Sequence, residues 1–420
     1  MKEIRKIIIA LMLGLAGATM LMLLINLLPV EPMKRNIAQS AKVMEQEGDY
    51  HEVLPGVISS RLDNFTDSIM LVSSAHREDA SLVERAMNVY RVRYEGKTPS
   101  ETLVSYGKGE KGYTAGPYSR YWHGYQLVLK PLLMFFNYQE IRYLNICLQF
   151  LLMFGIAVEL VKRKMKIYIF PYLFMIFSLM PVSIGLSLQF SSIFYIANIA
   201  VYVLLKWWEV LKEKKQFLLF FMITGMLTSF MDFLTYPLVT LGVPIVVYFL
   251  LSKSKEDTFL RKLAEIIKYS IIWAVGYIGM WSGKWVIGSV LLRKNIITDA
   301  IDALLNRTSS ETADASFTHW SVIERNIEAM FGTPIKILFL GTLLILLLFL
   351  IIKTIQDKKN YFGNYHYLII ACMPIAWYIV AGNHSYMHFW FTYRELAILI
   401  FAVLIWAFVN AAECWKKDNK

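Results

Sequence analysis

The chain has 420 residues, of which 56% are hydrophobic, 18% charged and 15% aromatic. A soluble domain of this length does not need so much apolar surface, so the excess must face lipid. The net charge of +11 does not indicate nucleic acid as a partner. Its basic residues fall in short clusters between apolar runs, the signature of an all-α polytopic membrane protein. Cys147, Cys372 and Cys414 are scattered, with neither metal spacing nor a disulfide pairing.

The chain opens with "MKEIRKIIIALMLGLAGATMLMLLINLL". Its basic head resembles a signal peptide, but the apolar run is long enough to span a bilayer, which predicts an uncleaved anchor over 1–29. Further runs predict about ten crossing helices in all, at 7–29, 141–161, 167–184, 188–205, 217–232, 234–251, 269–290, 336–353, 366–381 and 395–413. The charge pattern supports this order. With Lys2, Arg5 and Lys6 inside, every second connection is basic: "VKRKMK", "KWWEVLKEKKQ", "SKSKEDTFLRK", "KTIQDKKN" and the tail "WKKDNK". Both termini are then cytoplasmic.

This parity leaves two sizeable outer segments, 30–140 and 291–335, separated by helices over 141–290 and followed by the last helices and tail over 336–420. Within the first, "IAQSAKVMEQEG" and "ASLVERAMNVYRVRY" read as surface helices, and "LVLKPLLMFF" as an interfacial segment. "YGKGEKGYTAGPYSRYWHGY" reads as a loop. No inverted repeat is visible, which weighs against a transporter built from two similar halves.

Four polar clusters fall on the expected outer face. "RLDNFTDSIML" places Asp63 and Asp67 four residues apart, on one helical face where they can act together on a hydroxyl. Asp63 is equally suited to cap a helix starting at Asn64. "YSRYWHGY" sets Arg120 and His123 among aromatic rings, a combination that suits a sugar and a phosphate. "SFMDFLTYPL" puts Asp232 at the tip of an apolar hairpin, with Tyr236 beside it. "GNHSYMHFWFTYRE" carries His384, His388 and Arg394, with no carboxylate inside the histidine pair as a zinc site of the HExxH kind requires. Anion binding is the better reading there. The three sequons, at Asn64, Asn306 and Asn383, read as incidental in a bacterial inner membrane.

An N-in anchor, a long first outer loop with acidic residues and interfacial helices, and about ten spans resemble the polytopic GT-C glycosyltransferases. The resemblance implies a helical bundle with its active site at the extracytoplasmic face. It also implies a polyprenyl-phosphate-sugar donor and a first-loop acidic residue, here Asp63 or Asp67, as catalytic base. The acceptor would be a cell-envelope glycan or lipid-linked saccharide. Arg394, helped by His384 or His388, would stabilise the leaving phosphate. No bound metal is required, although the carboxylate pair leaves room for Mg²⁺ or Mn²⁺. A flippase or exporter of lipid-linked saccharide would use the same cations and aromatics without a base.

Overall fold

A computed structural model describes residues 2–252, 258–309, 317–332 and 335–418. Parts of the basic connection after 252, of the second outer segment and of the tail lie outside the described residues.

The anchor is helix α1 (Lys2–Ile25), whose Ile8, Met12 and Leu13 are exposed to the surroundings. The segment expected to lie outside, 30–140, then folds into a small module. Helix α2 (Glu31–Glu47) opens with proline in its first turn, where the missing N–H costs nothing, and ends at Gly48 with φ 65°. Helix α3 (Asn64–Ala75) starts at Asp63, as the capping reading expects. Helices α4 (Leu82–Asn88) and α5 (Pro99–Gly107) each begin with a reciprocal capping box, Ser81 with Glu84 and Thr98 with Glu101.

The stretch expected as one helix through Tyr94 divides here. Beyond α4, Val89 turns left-handed, and strand β1 (Arg91–Arg93) pairs antiparallel with β2 (Thr114–Gly116). The alternation in "RVRY" is strand periodicity, and it wins over the helical pattern that precedes it. The stretch expected as an interfacial segment folds as helix α6 (Gln126–Phe135).

Helix α7 (Tyr138–Lys162) follows, then α8 (Ile169–Ser178), α9 (Pro181–Leu186), α10 (Leu188–Glu213), α11 (Phe217–Met231), α12 (Val239–Leu251) and α13 (Phe259–Leu292). The second segment expected to lie outside, 291–335, carries α14 (Ile297–Thr308) and α15 (His319–Phe331). The chain ends with α16 (Ile335–Asp357), α17 (His366–Ala371), α18 (Met373–Val380), the short α19 (Gly382–Met387) and α20 (Phe389–Thr392), and α21 (Ala397–Asp418).

Six helices among the described residues are long and apolar enough to cross a membrane. The expected intervals 167–184, 217–232, 234–251 and 366–381 hold shorter apolar helices instead. Local chemistry explains two of the breaks. Met180 at φ 59° followed by Pro181 separates α8 from α9, and Pro374 opens α18 beyond Cys372. The bundle is close-packed where α11 crosses α13. A Cβ on Gly225 would lie 2.1 Å from the Trp273 carbonyl, and one on Gly276 would lie 2.2 Å from that of Met222. Only glycine permits that reciprocal backbone approach.

The module over 31–135 is bolted to α7 by one charged network. Arg142 makes a bidentate pair with Glu47, 2.8 Å at each oxygen, and its Nη2 also donates to Asn64 Oδ1 at 2.9 Å. Asn64 in turn donates to Glu47 and to the Gly48 carbonyl, both at 2.9 Å. The end of α2, the start of α3 and the start of α7 therefore meet at a buried guanidinium.

The orientation is tested by cysteine labelling in a chain lacking Cys147, Cys372 and Cys414. Cysteines at the exposed positions Lys111 and Asn306 should react with an impermeant maleimide in intact cells, and ones at Lys214 and Lys358 should not. Labelling at position 214 from outside would reverse the parity.

Candidate functional site

Asp63 and Asp67 share a helical turn, yet their surroundings assign them different work. Asp67 is saturated. Its Oδ2 accepts from the Tyr138 hydroxyl at 2.5 Å and from Leu188 N at 2.8 Å, and its Oδ1 accepts from Gln189 N at 2.8 Å and Ser187 Oγ at 3.3 Å. The carboxylate is in effect the N-cap of α10, supplied from another helix. Asp63 keeps capacity. One oxygen caps α3 by accepting from Thr66 N at 3.0 Å. Burial, reinforced by the Asp67 charge and opposed by the Thr66 bond, pushes the Asp63 carboxyl up to about 7. A carboxyl poised near neutrality is suited to proton abstraction.

Asp63 lies beside an aromatic wall. The Tyr50 phenol feels its charge, and Tyr50 stacks on Phe65 with ring centroids 5.8 Å apart. The edge of Tyr50 meets Trp390 at 5.5 Å, and the Arg61 guanidinium lies 6.0 Å from the same indole. Trp390 contacts His388 at 5.1 Å, and His388 lies 4.9 Å from His384. Residues 50, 63, 384, 388 and 390 are thus joined in one run of side-chain neighbours.

Both histidines are neutral. Burial first, then the neighbouring Arg307 charge, holds His388 at about 4; burial and His388 push His384 well down. His384 Nε2 donates to the Leu234 carbonyl at 2.6 Å, whereas His388 Nδ1 is buried without a partner among the described residues.

Arg394 corrects the expectation of a direct phosphate contact. It is fully buried, with four of its five N–H donors engaged: Nε to Leu179 O at 2.9 Å, Nη1 to Trp390 O at 3.3 Å, and Nη2 to Ser59 O at 3.3 Å and Ser183 Oγ at 2.7 Å. It lies 4.2 Å over Phe190. Its work is to fasten the start of α21 to α8, α9 and the segment leading to Asp63. Tyr236, close by, donates to the Phe190 carbonyl.

Asp232 is likewise a structural acceptor, taking Thr235 N at 2.8 Å and the Thr235 hydroxyl to close the turn before α12. Glu395, which the sequence reading passed over, accepts from Leu238 N at 3.1 Å and supports the same turn. His123 is a core residue rather than a partner of Arg120. At φ 57° it donates Nε2–H to the Tyr118 carbonyl at 2.7 Å, and burial pushes it down to about 3. Arg120 faces outward over the Tyr118 ring at 5.5 Å, while its carbonyl receives the Trp281 and Trp285 indoles at 3.2 and 3.0 Å.

Tyr50, Trp390, Arg91 and Arg307 belong to this surface and were not singled out by the sequence. Arg307 lay in plain view inside the sequon at Asn306, and Arg91 in the alternating "RVR". Among the described residues, no group of three or more His, Cys, Asp or Glu side chains is arranged to hold a metal ion.

A second feature lies in the membrane region. An apolar groove of about 440 Å³ runs between α6, α7, α10 and α11, lined by Leu129, Leu132, Leu144, Leu148, Ile196 and Leu227. Tyr125 lines it too, and its ring contacts Phe233 at 5.3 Å. Phe233 in turn packs on Tyr121 at 5.2 Å. The groove therefore leads toward the aromatic and cationic surface. No protein-family model matches this sequence, and neither a curated protein nor a solved structure matches it.

Proposed function

We propose that this chain is an integral membrane glycosyltransferase of the bacterial cytoplasmic membrane. It transfers a sugar from a polyprenyl-phosphate donor to a cell-envelope glycan or lipid-linked acceptor on the extracytoplasmic face. The observation that carries the reading is Asp63, a buried carboxyl held near neutrality beside the Tyr50–Trp390 aromatic wall. The acceptor hydroxyl attacks the anomeric carbon while the carbon–oxygen bond to phosphate breaks, and the phosphate leaves with the bonding pair. Asp63 takes the hydroxyl proton. A single displacement inverts the sugar carbon. Aromatic faces suit the apolar face of a sugar ring, and the groove beside α6 suits a prenyl chain.

Mass spectrometry of envelope glycans with and without the gene tests this reading. Loss of one sugar from a glycan, restored by the wild-type gene and not by the Asp63→Asn variant, is the expected result. Restoration by Asp63→Asn would favour a flippase that needs no base.

A further inference from the structure

Three arginines from distant parts of the chain converge on two tyrosines. Arg120 lies 5.5 Å over the Tyr118 ring, Arg307 lies 5.4 Å over Tyr121, and the two rings are 5.5 Å apart. The Tyr118 phenol feels Arg307, Arg120 and Arg91 together. Arg91 borders the aromatic wall, 5.8 Å over Phe65. Counter-charge is nearly missing. Arg120 has one loose contact, 3.8 Å to the largely exposed Asp299, and neither Arg91 nor Arg307 has an ion pair among the described residues. A donor is also left over: Arg91 Nε is buried without a partner among the described residues, while the Tyr121 hydroxyl, on a residue only 4% exposed, lies against the Arg307 side chain.

Guanidinium charge gathered around one pair of rings, with a donor unspent and little counter-charge, costs free energy unless an anion joins it. We infer that Arg91, Arg120, Arg307 and the Tyr121 hydroxyl form an anion-binding pocket for a phosphate ester. Planar guanidinium forks match phosphate oxygens. The groove that ends near Phe233 sets the phosphate of a prenyl lipid at this place. The inference rests on the proposed transfer reaction only for that choice of ester; the anion pocket is independent of any catalysis.

The indoles of Trp281 and Trp285, bonded to the Arg120 carbonyl, provide a fluorescence reporter. Full-length protein in nanodiscs of phosphatidylcholine is titrated with farnesyl phosphate, farnesol and inorganic phosphate. Farnesyl phosphate should bind well ahead of farnesol, and its affinity should fall with added salt. Arg307→Gln and Arg120→Gln should each weaken it by roughly 10- to 100-fold. Arg307→Lys, which keeps the charge, controls for misfolding and should retain part of the affinity. Inorganic phosphate binding as tightly as farnesyl phosphate would keep the pocket and assign it to free phosphate. Equal binding of farnesol and farnesyl phosphate, or no effect of either Gln variant, would overturn the pocket. Because Asp63→Asn should bind farnesyl phosphate normally, a failure of the transfer reading leaves this result intact.

Discussion

Replacing Asp63 with asparagine should abolish transfer and leave the protein at least as stable as the parent. Asparagine is as good a helix cap as aspartate, so the bond from Thr66 N survives in kind. An amide cannot accept the proton of the attacking hydroxyl, and loss of a general base costs roughly 10²–10⁴-fold in rate. The stability arm follows from the raised carboxyl. Burial holds Asp63 at about 7, so the folded chain binds this proton more tightly than the unfolded chain does. That contribution to stability is fully present below the ordinary carboxylate range near ~4 and is lost as pH rises through about 7. The neutral amide carries no such penalty. At pH 8 the variant should therefore unfold at the same or a higher temperature than the parent, while at pH 5 the difference narrows. The parent's kcat/KM should climb through the same window, because only the ionised carboxyl can act as base. A variant that keeps most of its transfer rate would move the base away from Asp63.

The local parts of this design are written locally. Asp63 caps α3 because an acidic side chain precedes a helical run, a pattern visible within four residues. The apolar intervals are legible for the same reason: hydropathy is a property of each stretch by itself. Breaks inside them are harder to read. Pro181 and Pro374 are obvious in the sequence, but whether proline kinks a span or ends it depends on what packs around the gap.

The site depends on long-range contacts, and there sequence reasoning divides. It expected the segments around 63, 118–123 and 384–394 to converge, and in the fold they lie near one another. It could not say which side chains face the opening. Arg394 looks like a free cation because it is the only Lys or Arg in its stretch, yet carbonyls from residues 59, 179 and 390 consume its donors. Asp67 looks like Asp63's twin until Leu188 and Gln189 arrive from more than 100 residues away. Arg91 and Arg307 do not stand out because nothing local in "RVR" or in the sequon at Asn306 points to their neighbours in the fold. Only folding puts them around Tyr118.

Asp67→Ala should give the opposite signature to Asp63→Asn: a destabilised protein whose loss of activity follows its loss of fold. The substitution removes a side chain that receives four hydrogen bonds in a fully buried place. Leu188 N and Gln189 N, the first-turn donors of α10, would lose their acceptor. The Tyr138 hydroxyl would lose its 2.5 Å bond, though it also lies 3.3 Å from the Leu186 carbonyl and can turn toward it. Loss of an N-cap costs about 0.5–2 kcal/mol. Each buried donor left unpaired adds about 1–3 kcal/mol. Relief of the cost of burying the carboxylate, which is itself pushed up to about 6, offsets part of this. A net loss of roughly 2–4 kcal/mol is expected, read in detergent as a clearly lowered Tm and a smaller monodisperse fraction. Asp67→Asn should fall between parent and alanine, because one oxygen still accepts while the new NH₂ faces donors across the cap. Its pH dependence separates it from Asp63: the surviving activity of Asp67→Asn should still titrate, at a pH below the parent's, since the base remains but the Asp67 charge that helps to raise it is gone. An Asp67→Ala protein with parental Tm and no transfer would mean that this carboxylate acts on substrate, and that the cap of α10 contributes little to holding α3 in place.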